Sequence, residues 1–179
     1  MTDRSRTAIA VSIKTTLGTM LVELYPNAAP ITVSNFLHYI DEGLYDAGNF
    51  HRTVTMENQP DNDVKIEVIQ GGVDPNRAAE LGDPIPLERT TSTNLKHIHG
   101  AISMARLEPD SARSDFFICI GDQPELDFGG HWKYDGQGFA AFGRVTKGMD
   151  IAKRIQQSTR EEQRLSPPIV ILRIRRVGE

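Results

Sequence analysis

Apolar and polar residues alternate along much of this chain. Ile9, Val11 and Ile13 take one face against Ala10, Ser12 and Lys14, the period-two pattern of a half-buried strand. After a turn at Thr16-Leu17-Gly18-Thr19 the alternation returns at Met20, Val22 and Leu24, so the pair reads as an antiparallel hairpin. The period then changes. Pro30 opens a helix where its missing N–H costs nothing, and Val33, Phe36, Leu37 and Ile40 fall at i, i+3, i+4 and i+7. Gly43 supplies the stop. Strand patterns resume over residues 50–54 and 65–73, with a polar surface loop over 56–63 between them. Residues 74–93 carry prolines, glycines and small polar residues and predict irregular structure with short turns. Further strands read over 99–105, 115–120, 139–145 and 169–177, the last introduced by Pro167-Pro168. A polar loop occupies 108–113, and a long Gly-rich loop runs from Gly121 to Gly138. A second helix spans 148–157, with Met149, Ile151, Ala152 and Ile155 apolar and Asp150 in the first turn, where the helix dipole favours it. Arg173, Arg175 and Arg176 read as solvated charges on an edge strand.

Seven or eight strands and two helices, not alternating with one another, exclude a doubly wound α/β fold. They favour a mainly β protein: a closed antiparallel barrel with a helix over each end. With 179 residues, 39% of them hydrophobic, the chain suits one core and one domain over residues 1–179, with residues 1–7 as a tail.

Charge and composition narrow the function classes. A net charge of −4 gives no basic stripe for nucleic acid. No apolar run approaches the ~20 residues that span a bilayer. The first residues lead into the strand pattern without an apolar leader, so a cytoplasmic location is expected, or a periplasmic one if a leader was removed. The single cysteine, Cys119, excludes an internal disulfide and sits in an apolar run as a buried, inert thiol. His97 and His99 share a face if residues 96–100 are extended, but no cysteine or carboxylate cluster accompanies them, and no metal site is expected. Ser114-Asp115 lacks a nucleophile-elbow pattern, and Gly129-Gly130 lacks phosphate-loop spacing. No cofactor is implied.

One short stretch, Phe50-His51-Arg52, places a permanent cation beside an aromatic. Alone, such an arginine reads as a surface charge, and Phe117 alone reads as barrel core. Other segments change the weighting. Leu17-Gly18-Thr19, Ala29-Pro30-Ile31-Thr32-Val33-Ser34-Asn35-Phe36, Gly43-Leu44-Tyr45 and Phe50-His51-Arg52 are followed by Ile69-Gln70-Gly71-Gly72 and residues 100–105. Ser114-Asp115-Phe116-Phe117-Ile118, Phe142-Gly143-Arg144-Val145 and Gly148-Met149-Asp150 come after. In that order, and across nearly the whole chain, they resemble cyclophilin-type peptidyl-prolyl isomerases.

The resemblance implies a closed eight-stranded antiparallel β-barrel capped by two α-helices. It implies a cofactor-independent peptidyl-prolyl cis–trans isomerase acting on X–Pro bonds of peptides and unfolded proteins. Arg52 matches the family's catalytic arginine and Gln70 the glutamine beside it. Ala105, Phe117 and Leu126 match residues lining the substrate groove, with Phe50, Met104, Arg106, Asp115 and Phe139 as further substrate-binding candidates. The chain departs from the pattern at Glu67, where a pocket phenylalanine is usual, and at Arg106, where an asparagine is usual. Asp115 replaces a glutamine, Glu125 an aromatic, and Phe139 a histidine or tyrosine. The interval from Arg52 to Gln70 carries an insertion, and the 121–138 loop carries Trp132 as a candidate replacement wall. With Glu125 in the aromatic's place, weak binding of the family's inhibitor cyclosporin is expected, to a monomer with no nucleic-acid or membrane partner. The rival reading is a cyclophilin-like module that binds proline segments with little turnover, favoured by Glu67, Asp115 and Glu125.

Overall fold

The structure, a computed structural model, describes residues 7–178. Apart from Thr7, the tail read over residues 1–7 lies outside the described residues. Among the described residues nine strands follow in order: β1 (Ile9–Thr15), β2 (Gly18–Leu24), β3 (Asn49–Val54), β4 (Val68–Gly72), β5 (Ala101–Met104), β6 (Phe116–Cys119), β7 (Ala141–Lys147), β8 (Arg160–Glu161) and β9 (Arg164–Arg176). The helices are α1 (Pro30–Asp41), a single turn α2 (Thr90–Thr93) and α3 (Met149–Gln156). Eight strands close a ring in the order β1-β2-β7-β5-β6-β4-β3-β9, because β9 pairs back onto β1. Every pairing is antiparallel, and β8 is a short addition to β9. The barrel expected from the residues is therefore the barrel observed.

The interior is filled by the inward half of each strand. Val11, Ile13, Met20, Val22, Leu24, Phe50, Ile69, Ile102, Phe116, Ile118, Phe142 and Ile174 are all buried in one cluster. Phe36 of α1 meets Phe116 and Phe142 there, at 5.5 and 5.1 Å between ring centroids. Edge-on ring pairs at such distances add to plain area burial. The helix α1 follows the Leu24 end of β2, whereas Gly18 and Gly148 bring α3 against the other end. The first turn of α1 has no side-chain cap of its own. Instead Glu88, from the irregular stretch before α2, accepts the Thr32 N–H at 2.6 Å and its hydroxyl at 2.7 Å. A carboxylate there satisfies an orphan donor and sits well in the helix dipole.

The last strand differs from expectation in two ways. It begins at Arg164, so Pro167 and Pro168 lie inside it. They fall between its pairing with β8, which ends at Leu165, and its pairing with β3 at Ile169 and Val170, so no ladder bond needs their missing N–H. Nor is β9 an edge, since β1 and β3 flank it. Arg175 is forked onto Asp46 and Arg176 onto Asp41, at 2.7–2.9 Å. The strand read over residues 65–73 is shorter, Val68–Gly72, and the stretch 74–93 contains a 3-10 turn at Pro75–Glu80 besides α2. Among the described residues no helix is long and apolar enough to cross a membrane.

Candidate active site

A second apolar cluster lies on the outside of the barrel, and the register explains it. Across four neighbouring strands, Arg52 faces Gln70, Gln70 faces Phe117, and Phe117 faces Ser103. Side chains alternate along a strand, so this row and its i±2 neighbours share one face. Val54, Val68, Phe117, Cys119 and Ala101 make that face, with Ile66, Leu126 and Phe139 packed onto it and Ala105 and Trp132 at its margin. The surface groove above has a volume of about 840 Å³ and is lined by Arg52, Ile66, Val68, Gln70, Ala105, Arg106, Asp115, Phe117, Leu126, Trp132 and Phe139, among others.

Eight of the ten expected site residues therefore line one groove, and two do not. Phe50 is fully buried inside the barrel against Phe116, at 5.6 Å. Simple alternation would put Phe50 and Arg52 on the same face. A bulge at His51 intervenes, pairing Phe50 with Gly71 but Arg52 with Gln70, so the two side chains point to opposite sides of the wall. Met104 is also inside, because its neighbours Ser103 and Ala105 hold the outward positions. Of the departures noted in the sequence, Glu67 and Glu125 are absent from the groove lining. Glu67 instead accepts a bond from Gln156 at 2.8 Å. Ile66 and Val68 supply the apolar wall on either side of it. Glu125 accepts the His131 N–H at 2.9 Å, and Trp132 beside it lines the groove.

The guanidinium of Arg52 is partly buried and held by two neutral amides. Gln163 Oε1 accepts from Nε at 3.0 Å and from one terminal nitrogen at 2.8 Å, and Gln70 Oε1 accepts from the other at 3.1 Å. Burial lowers the pKa from that of a free arginine, but an arginine stays charged at any working pH. Three of its five N–H groups are engaged in these bonds, which leaves two for the groove. Gln70 is fixed in turn: its Nε2 donates to Asp115 Oδ2 at 3.1 Å, which also lies 3.2 Å from His51 Nε2. Gly72 leaves the space Asp115 occupies, where any Cβ would collide with the carboxylate.

The floor is just as constrained. Phe117 stacks on His97 at 5.8 Å and meets Phe139 edge-on at 5.5 Å. His97 is buried, with Nδ1 2.7 Å from Asp127 and Nε2 2.8 Å from the Ser103 hydroxyl. Burial pushes the Asp127 carboxyl up, but the bonds from the His97 ring and backbone N–H outweigh it and leave the pKa below the usual range. His99 turns elsewhere, with Nδ1 accepting the Gly121 N–H at 2.7 Å. Arg106 lines the groove, yet its charge is taken up by Asp135 at 2.9 and 3.0 Å, and it lies 4.8 Å above the Phe139 ring. Burial raises the Cys119 pKa, which keeps the thiol protonated. Gln163 was not foreseen from sequence. It comes from the β8–β9 hairpin, 111 residues after Arg52, and nothing in Glu161-Glu162-Gln163 signals the meeting.

A closed antiparallel barrel carrying a fixed arginine over an outward-facing apolar groove has the frame of the peptidyl-prolyl isomerases named above. The sequence profile described as "Cyclophilin type peptidyl-prolyl cis-trans isomerase/CLD" matches residues 10–176, and the chain belongs to that family. Membership makes it an enzyme of the peptidyl-prolyl cis–trans isomerase class. A peptidyl-prolyl cis-trans isomerase of Acinetobacter baylyi is 36% identical over 146 residues, covering 81% of this chain and 70% of the relative. A peptidyl-prolyl cis-trans isomerase-like 1 protein of Neurospora crassa is 36% identical over 177 residues, covering 96% of both chains. A crystal structure of a Cryptosporidium parvum cyclophilin type isomerase, obtained in the presence of the dipeptide Ala-Pro, superposes with a TM-score of 0.75. It is 23% identical and covers 95% of this chain and 99% of its own, a likeness of fold.

Proposed function

We propose that Arg52 and the groove beside it accelerate rotation about X–Pro bonds in peptides and unfolded proteins. The reading is carried by one observation: a partly buried guanidinium, held only by uncharged amides, borders an apolar floor of Phe117, Leu126 and Phe139. Rotation must cross an amide-resonance barrier of ~18–20 kcal/mol, and no bond is made or broken. As the bond twists, the prolyl nitrogen regains its lone pair. A donor near that nitrogen stabilises the twisted form more than the planar one, which is what lowers a barrier. In a site partly shielded from water one such donor is worth several kcal/mol. The aromatic and aliphatic floor grips the pyrrolidine ring by apolar contact, while the preceding carbonyl is left to swing. The chain does this as a monomer, without nucleic acid or membrane as partner.

The rival reading, a proline-binding module with little turnover, is weakened. Of Glu67, Asp115 and Glu125, only Asp115 lines the groove. An NMR exchange or protease-coupled assay on an Ala-Pro peptide tests the proposal. Arg52→Ala should lower kcat/KM by about 10²–10³-fold, as loss of an oriented donor does elsewhere. Wild type and variant equally inactive would end the reading. Cyclosporin should bind weakly, in the micromolar range or above, because position 125 is a carboxylate bonded to His131. Titration calorimetry giving a nanomolar Kd would overturn this and pass the aromatic's role to Trp132.

A further inference from the structure

We infer that Gln163 is the positioning residue of this isomerase: a neutral amide that aims the Arg52 guanidinium without cancelling its charge. The inference rests on the role proposed for Arg52. Gln163 makes two of the three bonds that Arg52 donates to side chains, at 3.0 and 2.8 Å, both shorter than the 3.1 Å bond to Gln70. Two amides grip the planar fork from different sides, so its orientation is set before any substrate arrives. An oriented group needs no reorganisation during the reaction, which is where preorganised donors gain their effect.

Gln163 is itself clamped. Its backbone carbonyl accepts the Thr53 N–H at 2.8 Å, tying the hairpin to the residue next to Arg52. Its Nε2 donates to the Asn58 carbonyl at 3.2 Å, so the amide cannot turn over without placing a donor against the guanidinium. Asn58 belongs to the loop inserted between β3 and β4. That loop is closed by a reciprocal cap, with Thr55 N–H donating to Asn58 Oδ1 at 2.8 Å and Asn58 N–H to Thr55 Oγ1 at 3.3 Å. Asn58 Nδ2 also donates to the Glu162 carbonyl at 3.1 Å. The insertion thus holds the hairpin, the hairpin presents Gln163, and Gln163 holds Arg52.

The chemical identity of the partner matters. Of Glu161-Glu162-Gln163, the side chain that meets the guanidinium is the one that cannot ionise. Glu161 is exposed and faces Arg164, at 3.4 Å. A carboxylate in the place of the Gln163 amide would form a forked ion pair and oppose the charge that the twisted bond needs.

The test uses the whole protein with Gln163→Ala, Gln163→Glu, Arg52→Ala and the Arg52→Ala/Gln163→Ala double variant. Steady-state kinetics on an Ala-Pro peptide and the ¹H–¹⁵N signal of Arg52 Nε are the readouts. Gln163→Ala should lower kcat about tenfold to a hundredfold with KM nearly unchanged, as misalignment without lost binding does. It should also shift and broaden the Nε signal. Gln163→Glu should keep a sharp Nε signal and still lose kcat. In the Arg52→Ala background, Gln163→Ala should change nothing further. Full activity in Gln163→Ala or Gln163→Glu would overturn the inference. So would an equal loss in both backgrounds, or an Nε signal indifferent to Gln163→Ala. Should wild type be as inactive as Arg52→Ala, the role of Arg52 falls instead, and the Nε signal still decides whether Gln163 holds the side chain.

Discussion

Arg106 shows how a residue can stand in a groove and yet do its work behind it. Its Nε and one terminal nitrogen donate to the Gly138 carbonyl at 2.9 and 2.6 Å, another nitrogen to the Leu107 carbonyl at 3.0 Å, and the fork closes on Asp135. The side chain is 1% exposed. The family resemblance makes Arg106 a substrate-binding candidate. In place it is a strut that pins the 121–138 loop and backs Phe139. Removing it would leave the Gly138 carbonyl without a donor and Asp135 with the Gln137 N–H at 2.9 Å. Arg106→Met should therefore destabilise the fold by about 2 kcal/mol, the cost of leaving a buried carbonyl unpaired. Urea unfolding measures it, and a loss under about 1 kcal/mol would return Arg106 to the class of surface charges.

At the scale of elements, the outward loop is what turns a barrel wall into a groove. Residues 121–138 bring Leu126 and Trp132 over β6, and Phe139 N–H donates to the Leu126 carbonyl at 3.0 Å. The fold-back needs Gly138. It has φ +71°, and a Cβ there would lie 2.6 Å from the Asp127 carbonyl carbon and 2.7 Å from Phe128 N. Left-handed backbone costs other residues about 1–2 kcal/mol before any clash. Gly138→Ala should raise KM for an Ala-Pro peptide severalfold and lower the melting temperature, as kinetics beside calorimetry will show. An unchanged KM would mean the loop contributes no wall. The strand alternation behind this loop was legible in the sequence. The bulge at His51 was not, because a bulge changes which residue faces which while leaving the composition of the strand untouched.

Across the whole molecule, several carboxylates hold distant parts together by hydrogen bonds from cations. The side-chain bonds from Arg176, Arg175 and Arg106 lower the pKa values of Asp41, Asp46 and Asp135. Burial raises that of Asp127, but the bonds from His97 more than offset it. In each case the folded pKa lies below the unfolded value of about 3.9. Below that value the unfolded chain binds more protons than the folded one. The contribution is thus complete above about pH 4 and is lost as pH falls through the folded values. The melting temperature should be level from pH 7 to about pH 4.5 and then fall, with a shallower fall in Asp127→Asn. A melting temperature constant down to pH 3 would contradict this.

Sequence alone determined the barrel and the two main helices, and it singled out Arg52 for the role proposed above. Periodicity reports which residues seek an apolar face, and the order of short motifs places the chain in its family. Only the tertiary structure decided which face each residue meets. It put Phe50 and Met104 inside, took Glu67 out of the groove, brought Ile66, Val68 and Trp132 into it, and joined Gln163 to Arg52. Those outcomes depend on register, on one bulge and on contacts between residues more than a hundred positions apart. None of these leaves a mark in local sequence, because each is fixed by strand pairing and packing rather than by the preference of any single residue.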